Sequence, residues 1–250
     1  MNGILSRRSA AGVLGVVAMT IAVSGCDSSA ASRSAPGIGV AESFSQIRYR
    51  DERSVLRHQN DAERSRHWVL TADGVELYDL SSGELLVQIA LPDWSWVGPQ
   101  YACPPDLAVG YRGEVVISSN VVPTLWRIDP VTLVASRHDL AIEDDKGRDI
   151  GITALAFSAQ QGTYFAVSAA HGSLWRIDPR LARAQSIPLS APLPKSCTLA
   201  IPPREADRRA IRATALCVRG EEGDWTVALA PDQRFGYVRP GQCTEKLEKS

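Results

Sequence analysis

The chain has 250 residues, 44% of them hydrophobic and 22% charged, with 27 basic residues against 28 acidic ones and a mean hydropathy of −0.10. This balance carries no overall footprint for nucleic acid. The local basic cluster of Arg204, Arg208, Arg209 and Arg212 is interleaved with Glu205 and Asp207 and reads as a solvated loop.

In chain order, the first segment reads as a targeting signal over residues 1–25: Arg7 and Arg8 precede an uncharged run, residues 9–25, too short to span a bilayer comfortably. The run ends in Val23, Ser24, Gly25 and Cys26, which resembles the lipobox of bacterial lipoproteins. That resemblance implies diacylglyceryl transfer to the Cys26 thiol and a membrane tether of acyl chains such as palmitate. Each buried methylene stabilises the anchored state by roughly 0.8 kcal/mol, so two or more chains hold the protein stably. Ser6, Arg7 and Arg8 also invite a twin-arginine reading, although Ala10 and Ala11 are small for that signal. Asp27 resembles the inner-membrane retention residue of some Gram-negative lipoproteins, and residues 26–42 read as a lipidated cysteine followed by a flexible Ser, Ala and Gly tether. The expected location is the extracytoplasmic face of a bacterial membrane.

About 225 residues remain after cleavage, enough for one domain with its own core over residues 43–250. Four cysteines remain there, Cys103, Cys197, Cys217 and Cys243; an even count in an exported chain predicts disulfides, and three pairings are open.

The hexapeptide "LWRIDP" stands at residues 125–130 and again at residues 174–179. Each copy follows an apolar, β-rich run and a short polar break, the pattern of a strand, a turn and another strand. One period of about 50 residues earlier lies "HWVLTADGVELYDLSSGELLVQIAL"; one period later, Trp225 follows Trp175 by the same interval. Four units result, with cores at about 54–92, 104–142, 152–190 and 197–240. In the second unit the strands are expected at 106–110, 114–119, 124–129 and 133–137, and in the third at 152–158, 164–168, 173–178 and 184–188. The innermost strand of the first unit falls in the charged stretch before Arg66.

A period of 40 to 50 residues with four short strands is the propeller-blade pattern, and "LWRIDP" and "ELYDLSSGELL" resemble the third strand and following turn of quinoprotein-like, YVTN-type and WD40-like blades. The expected fold is all-β: a small propeller of about four four-stranded blades, with a β-sandwich as the alternative. The resemblance implies that Trp126, Trp175, Ile128 and Ile177 pack between sheets and that Asp79, Asp129 and Asp178 begin turns. Alternation along each strand independently sends Trp and Ile to one face, and Asp followed by Pro or Ser-Ser-Gly is turn chemistry. Ring closure favours a clasp between Cys103 and Cys243, with Cys197 and Cys217 bridging strands of the fourth unit.

On a propeller the inter-blade connections share one face with the turns between second and third strands. That face would gather Trp94, Trp96 and Tyr101, the acidic loop of Glu143, Asp144, Asp145 and Asp149, and His171. Trp94 and Trp96 either point together toward a partner or seal the groove between blades. The acidic loop offers oxygen ligands suited to calcium but lacks EF-hand spacing, and no histidine pair has metal-ligand spacing, so no cofactor or metal is expected. No nucleophile elbow, P-loop or dinucleotide fingerprint is present. The expected role is a non-enzymatic binding or assembly module with a protein or envelope partner. The alternatives are a small propeller enzyme, lactonase-like or glutaminyl-cyclase-like, with Asp106 among the available acids, and a sugar- or peptide-binding sensor.

Overall fold

The computed structural model describes residues 47–98, 103–142, 150–201, 215–220, 223–241 and 243, all within the unit Ala41–Ser250. Among these residues seventeen strands form four sheets. The first holds β1 (Val55–Asp61), β2 (Arg66–Thr71), β3 (Gly74–Asp79) and β4 (Leu85–Ile89); the second holds β5 (Leu107–Val109), β6 (Val115–Ser118), β7 (Thr124–Ile128) and β8 (Ala135–Asp139). After the short β9 (Ala141–Ile142) the third contains β10 (Ala154–Ser158), β11 (Thr163–Ser168), β12 (Ser173–Ile177) and β13 (Arg183–Ile187). The fourth contains β14 (Ser196–Ala200), β15 (Ala215–Gly220), β16 (Gly223–Leu229) and β17 (Gly236–Pro240).

Within each sheet the four blade strands run antiparallel in sequence order, and the four sheets are arranged as the blades of a four-bladed β-propeller rather than as a two-layered sandwich. The first strand of every blade is innermost: β5 packs against β1 and β10, and β10 packs against β14. The innermost strand of the first unit lies in the charged stretch, at Val55–Asp61.

The repeated hexapeptides form β7 and β12. Trp126, Ile128, Trp175 and Ile177 are all buried and turned toward the preceding blade, because strand alternation places them on one side. Three apolar clusters follow, between blades 1 and 2, blades 2 and 3, and blades 3 and 4. The aspartates act as expected. Asp79 Oδ1 accepts from Ser81 N at 2.9 Å and Ser82 N at 2.7 Å; Asp129 Oδ1 accepts from Val131 N at 2.9 Å and Thr132 N at 2.8 Å; Asp178 Oδ1 accepts from Arg180 N at 2.8 Å. The second of these turns runs longer than its sequence suggests. Leu133 sits in the left-handed region with φ of 57° and donates its N–H to Asp129 O, so the outer strand begins at Ala135 instead of Leu133.

One addition was not expected. The chain leaving β8 continues as β9 and pairs in parallel with β13, giving blade 3 a fifth strand. The same step recurs where Leu189, beyond β13, forms a parallel bridge to Gly236 of β17.

All four cysteines form disulfides, but the pairing differs from the expected one: Cys103 bonds Cys197 and Cys217 bonds Cys243. The register explains the correction. Ala200, not Cys197, lies opposite Cys217, three residues and about 10 Å farther along β14. Cys243 is drawn back to blade 4, its N–H donated to Asp224 Oδ2 at 2.8 Å.

Candidate binding face

The connection from blade 1 to blade 2 lies across the turns that join second to third strands. Trp94 and Trp96 both donate their indole N–H to Ala72 O, at 3.0 and 3.1 Å, where Ala72 stands in the β2–β3 turn. Ser119 Oγ donates to Ser95 O at 2.7 Å; Val97 N donates to Asn120 Oδ1 at 3.0 Å; Asn120 Nδ2 returns bonds to Val97 O and Cys103 O at 2.9 and 3.0 Å. Those groups belong to the β6–β7 turn. The connection is thereby stitched to both blades it joins.

Trp94 also meets Trp126 edge to face, with ring centroids 4.9 Å apart, and packs on the cluster between blades 1 and 2. Both Trp94 and Trp96 are half-buried: they seal the seam and leave part of each ring on the surface. His171 is exposed in the β11–β12 turn. Its neighbour Gly172 has φ of 58°, and a Cβ there would lie 2.5 Å from Leu193 O. Only glycine lets the blade 3–4 connection approach so closely. Trp94, Trp96 and His171 are thus held on fixed backbone. Tyr101 and the acidic loop residues Glu143, Asp144, Asp145 and Asp149 lie outside the described residues, as does the cluster at Arg204. Among the described residues no group of three His, Cys, Asp or Glu side chains is placed to hold a metal ion, and no helix is long and apolar enough to cross a membrane.

At the centre of the ring, Asp106 joins the blades. Its carboxylate stands 3.6 Å from Arg57 Nε of β1, accepts from Leu107 N at 2.9 Å and accepts from Leu155 N of β10 at 2.8 Å. Arg57 Nη2 donates onward to Cys197 O of β14 at 2.6 Å. One ion pair therefore touches all four blades, and the Cys103–Cys197 disulfide ties the entry of blade 2 to the inner strand of blade 4. Burial pushes the Asp106 carboxyl up to about 6, against the opposing pull of the Arg57 guanidinium and two backbone N–H groups. Its lone pairs are engaged by fold contacts on both oxygens, the arrangement of a central lock.

A second polar group occupies the face of blade 1 turned away from blade 2. His67 is buried, with Nδ1 2.5 Å from Asn60 Oδ1 and Nε2 3.1 Å from Tyr49 Oη. The Asn60 oxygen can only accept, so Nδ1 carries the proton and Nε2 accepts from the Tyr49 hydroxyl. Burial, reinforced by neighbouring His58, lowers the His67 pKa to about 4. Beside it Tyr78 Oη donates to Glu76 Oε2 at 2.6 Å, and Gln88 Nε2 donates to Glu76 Oε1 at 2.9 Å.

Neither Arg57 nor this His67 and Glu76 group stands out as a motif in the sequence. The repeat itself held the signal for part of it: Glu76 and Tyr78 lie one 50-residue period before Trp126 and Ile128. Polar residues at the seam positions of one unit alone mark a face unlike its sisters.

No protein-family model and no curated protein sequence matches the chain. Solved structures do. Hydrazine synthase of Kuenenia stuttgartiensis superposes with a TM-score of 0.51 at 8% identity, over 73% of this chain and 47% of that one. Virginiamycin B lyase from Staphylococcus aureus gives 0.50 at 12% identity, over 72% and 53%. An auxiliary nutrient binding protein from Bacteroides thetaiotaomicron gives 0.50 at 9%, over 77% and 43%. The likeness shows the propeller fold alone. The aligned part is about half the length of these structures, whose names span different activities.

Proposed function

We propose that the protein is a lipid-anchored, extracytoplasmic propeller that works as a non-enzymatic binding or assembly module in a bacterial envelope. Residues 1–25 are the signal, Cys26 carries the lipid, and residues up to about 42 are the tether. Two disulfides support an oxidising compartment. The observation that carries the reading is the stitched connection at residues 94–97. Its bonds to Ala72, Ser119 and Asn120 fix half-exposed tryptophan rings on a rigid backbone, so little ordering entropy opposes association with a partner. The chemistry at the ring centre fits this reading, since Asp106 is committed to Arg57 and to backbone N–H groups.

Crosslinking of the full-length protein in its native membrane, followed by purification, tests the proposal. A stoichiometric protein partner is expected, and Trp96→Ala combined with His171→Ala should abolish its capture while the domain stays folded. Trp94 is left in place because it packs on Trp126. Capture that survives in the folded double variant removes the connection face from the proposal. Absence of any partner, together with turnover of a lactone or of an N-terminal glutaminyl peptide, would replace the module with an enzyme.

A further inference from the structure

Blades 3 and 4 have their outer edges met by the segment that enters from the preceding blade, and blade 2 does not. β9 pairs in parallel with β13, Ala141 N–H donating to Ala182 O at 2.9 Å, and Leu189 bridges Gly236 of β17 in the same sense. Trp126 and Trp175 are 49 residues apart, and the same step back from Ala141 and Ile142 falls on Pro92 and Asp93. Neither repeats the pairing. Proline has no N–H to donate, Asp93 sits in the left-handed region with φ of 51°, and the Pro92 carbonyl is turned to Trp126, accepting from its Nε1 at 2.6 Å.

β8 is therefore the last strand of its sheet. Asp129 N–H donates to Val134 O at 3.1 Å, so in the alternating antiparallel ladder the Ala135 N–H points away from β7. Among the described residues no backbone group meets it, and none donates to Leu133 O, the counterpart of Ala182 O. Beside this edge lies a groove of about 680 Å³ between the outer parts of blades 1 and 2, whose lining includes Val87, Ile89, Leu91, Leu133, Val134 and Ala135. No residue that lines it carries a charge. Beyond Ala135, the Asp93–Arg137 ion pair at 3.1 Å crosses from the connection to β8. Leu91 and Pro92 lead straight from the groove into the connection that holds Trp94 and Trp96.

We propose that the open edge of β8 takes an extended, uncharged peptide segment of a protein partner, added in parallel as a fifth strand with its apolar side chains in the groove. A parallel strand brings an N–H to Leu133 O and a carbonyl to the Ala135 N–H, the two groups left over in blade 2. The segment is neutral because a charge would lose water against a lining that has none to match it. The slot continues the connection face, and the proposal rests on the reading of the protein as a partner-binding module: it names the form in which the partner is met.

Amide hydrogen exchange, followed by nuclear magnetic resonance on the full-length, disulfide-intact protein in detergent, is the test. The probe is the peptide acetyl-Thr-Leu-Ala-Ile-Thr-amide, which carries Leu140, Ala141 and Ile142 in order; the control is the same peptide N-methylated at Leu, Ala and Ile. The probe should bind saturably and slow exchange of the Ala135 amide at least tenfold, and the control should do neither. Val134→Lys, at a position 63% exposed, should weaken the probe at least tenfold with an unchanged circular dichroism spectrum. Absence of binding, binding without protection of Ala135, equal binding of the control, or undiminished affinity in Val134→Lys overturns the proposal. So does protection of Ala135 before the probe is added: at every protein concentration it assigns the edge to a segment of the chain itself, and only at high concentration to a second copy. The titration needs no partner. Its failure beside a captured partner removes the slot and leaves the module; its success without any captured partner removes the module and leaves the slot.

Discussion

Arg57 and Asp106, on the innermost strand of the first blade and at the entry to the second, stand 3.6 Å apart, and through their remaining bonds reach the third and fourth blades as well. The pair lies where four innermost strands converge and where apolar side chains alone could not satisfy the backbone groups that point inward. Removing one member of a shielded pair strands the other charge, whereas removing both is far milder. Arg57→Met should therefore cost about 2 kcal/mol, scaled down because the guanidinium is partly exposed, whereas Asp106→Asn, which removes a carboxylate that burial already disfavours, should cost less. A double-mutant cycle in urea should give a coupling of about 1 kcal/mol or more. Additive effects would mean the two groups do not act together.

The two disulfides should differ in weight. Cys103 and Cys197 are 94 residues apart and Cys217 and Cys243 are 26 apart. On the chain-entropy argument their loss costs roughly 4–5 and 3–4 kcal/mol respectively. The Cys103→Ala/Cys197→Ala pair should thus have the lower denaturation midpoint, since it also frees the entry of blade 2 from blade 4. Peptide mapping of the unreduced protein should recover these two linkages and no others.

His67 should make the domain sensitive to mild acid. Its folded pKa, about 4, lies below the ordinary histidine value, so its contribution to stability is complete above pH 6.5 and is lost as the pH falls toward 4. Asp106 opposes this. Its folded pKa is raised to about 6, so its contribution is complete near pH 4 and is lost as the pH climbs through 6. His67→Gln should flatten the decline in stability between pH 7 and pH 5 by on the order of 1 kcal/mol, measured by urea titration at each pH. An unchanged slope in the variant would show that His67 does not titrate in this window.

The proposed lipidation at Cys26 predicts a simple redistribution. Cys26→Ser should abolish incorporation of labelled palmitate and move the protein out of the membrane fraction, since a tether lacking acyl chains loses roughly 0.8 kcal/mol for every methylene no longer buried. Retention of the label would assign the lipid to another residue.

The linear chain determined what depends on short range. Alternation made Trp126 and Ile128 share a face, and an aspartate followed by small or β-breaking residues made a turn, so the blade unit and its repetition were legible from "LWRIDP" onward. Sheets with apolar residues on both sides need neighbours, and the propeller follows from that need. The strand Val55–Asp61 is harder to read because its partners come from the ring centre, where Arg57 and Gln59 face backbone groups and ions instead of a core.

Tertiary structure decided which cysteines pair, because the register of β14 against β15 sets Cys197 and Cys217 three residues out of line, a distance no spacing along the chain reveals. It also decided that Trp94 and Trp96 share the carbonyl of Ala72. Charges and hydrogen-bonding groups gain their meaning from what stands within about 3 Å of them. Those neighbours, such as Cys197 beside Arg57, come from residues far apart in the chain.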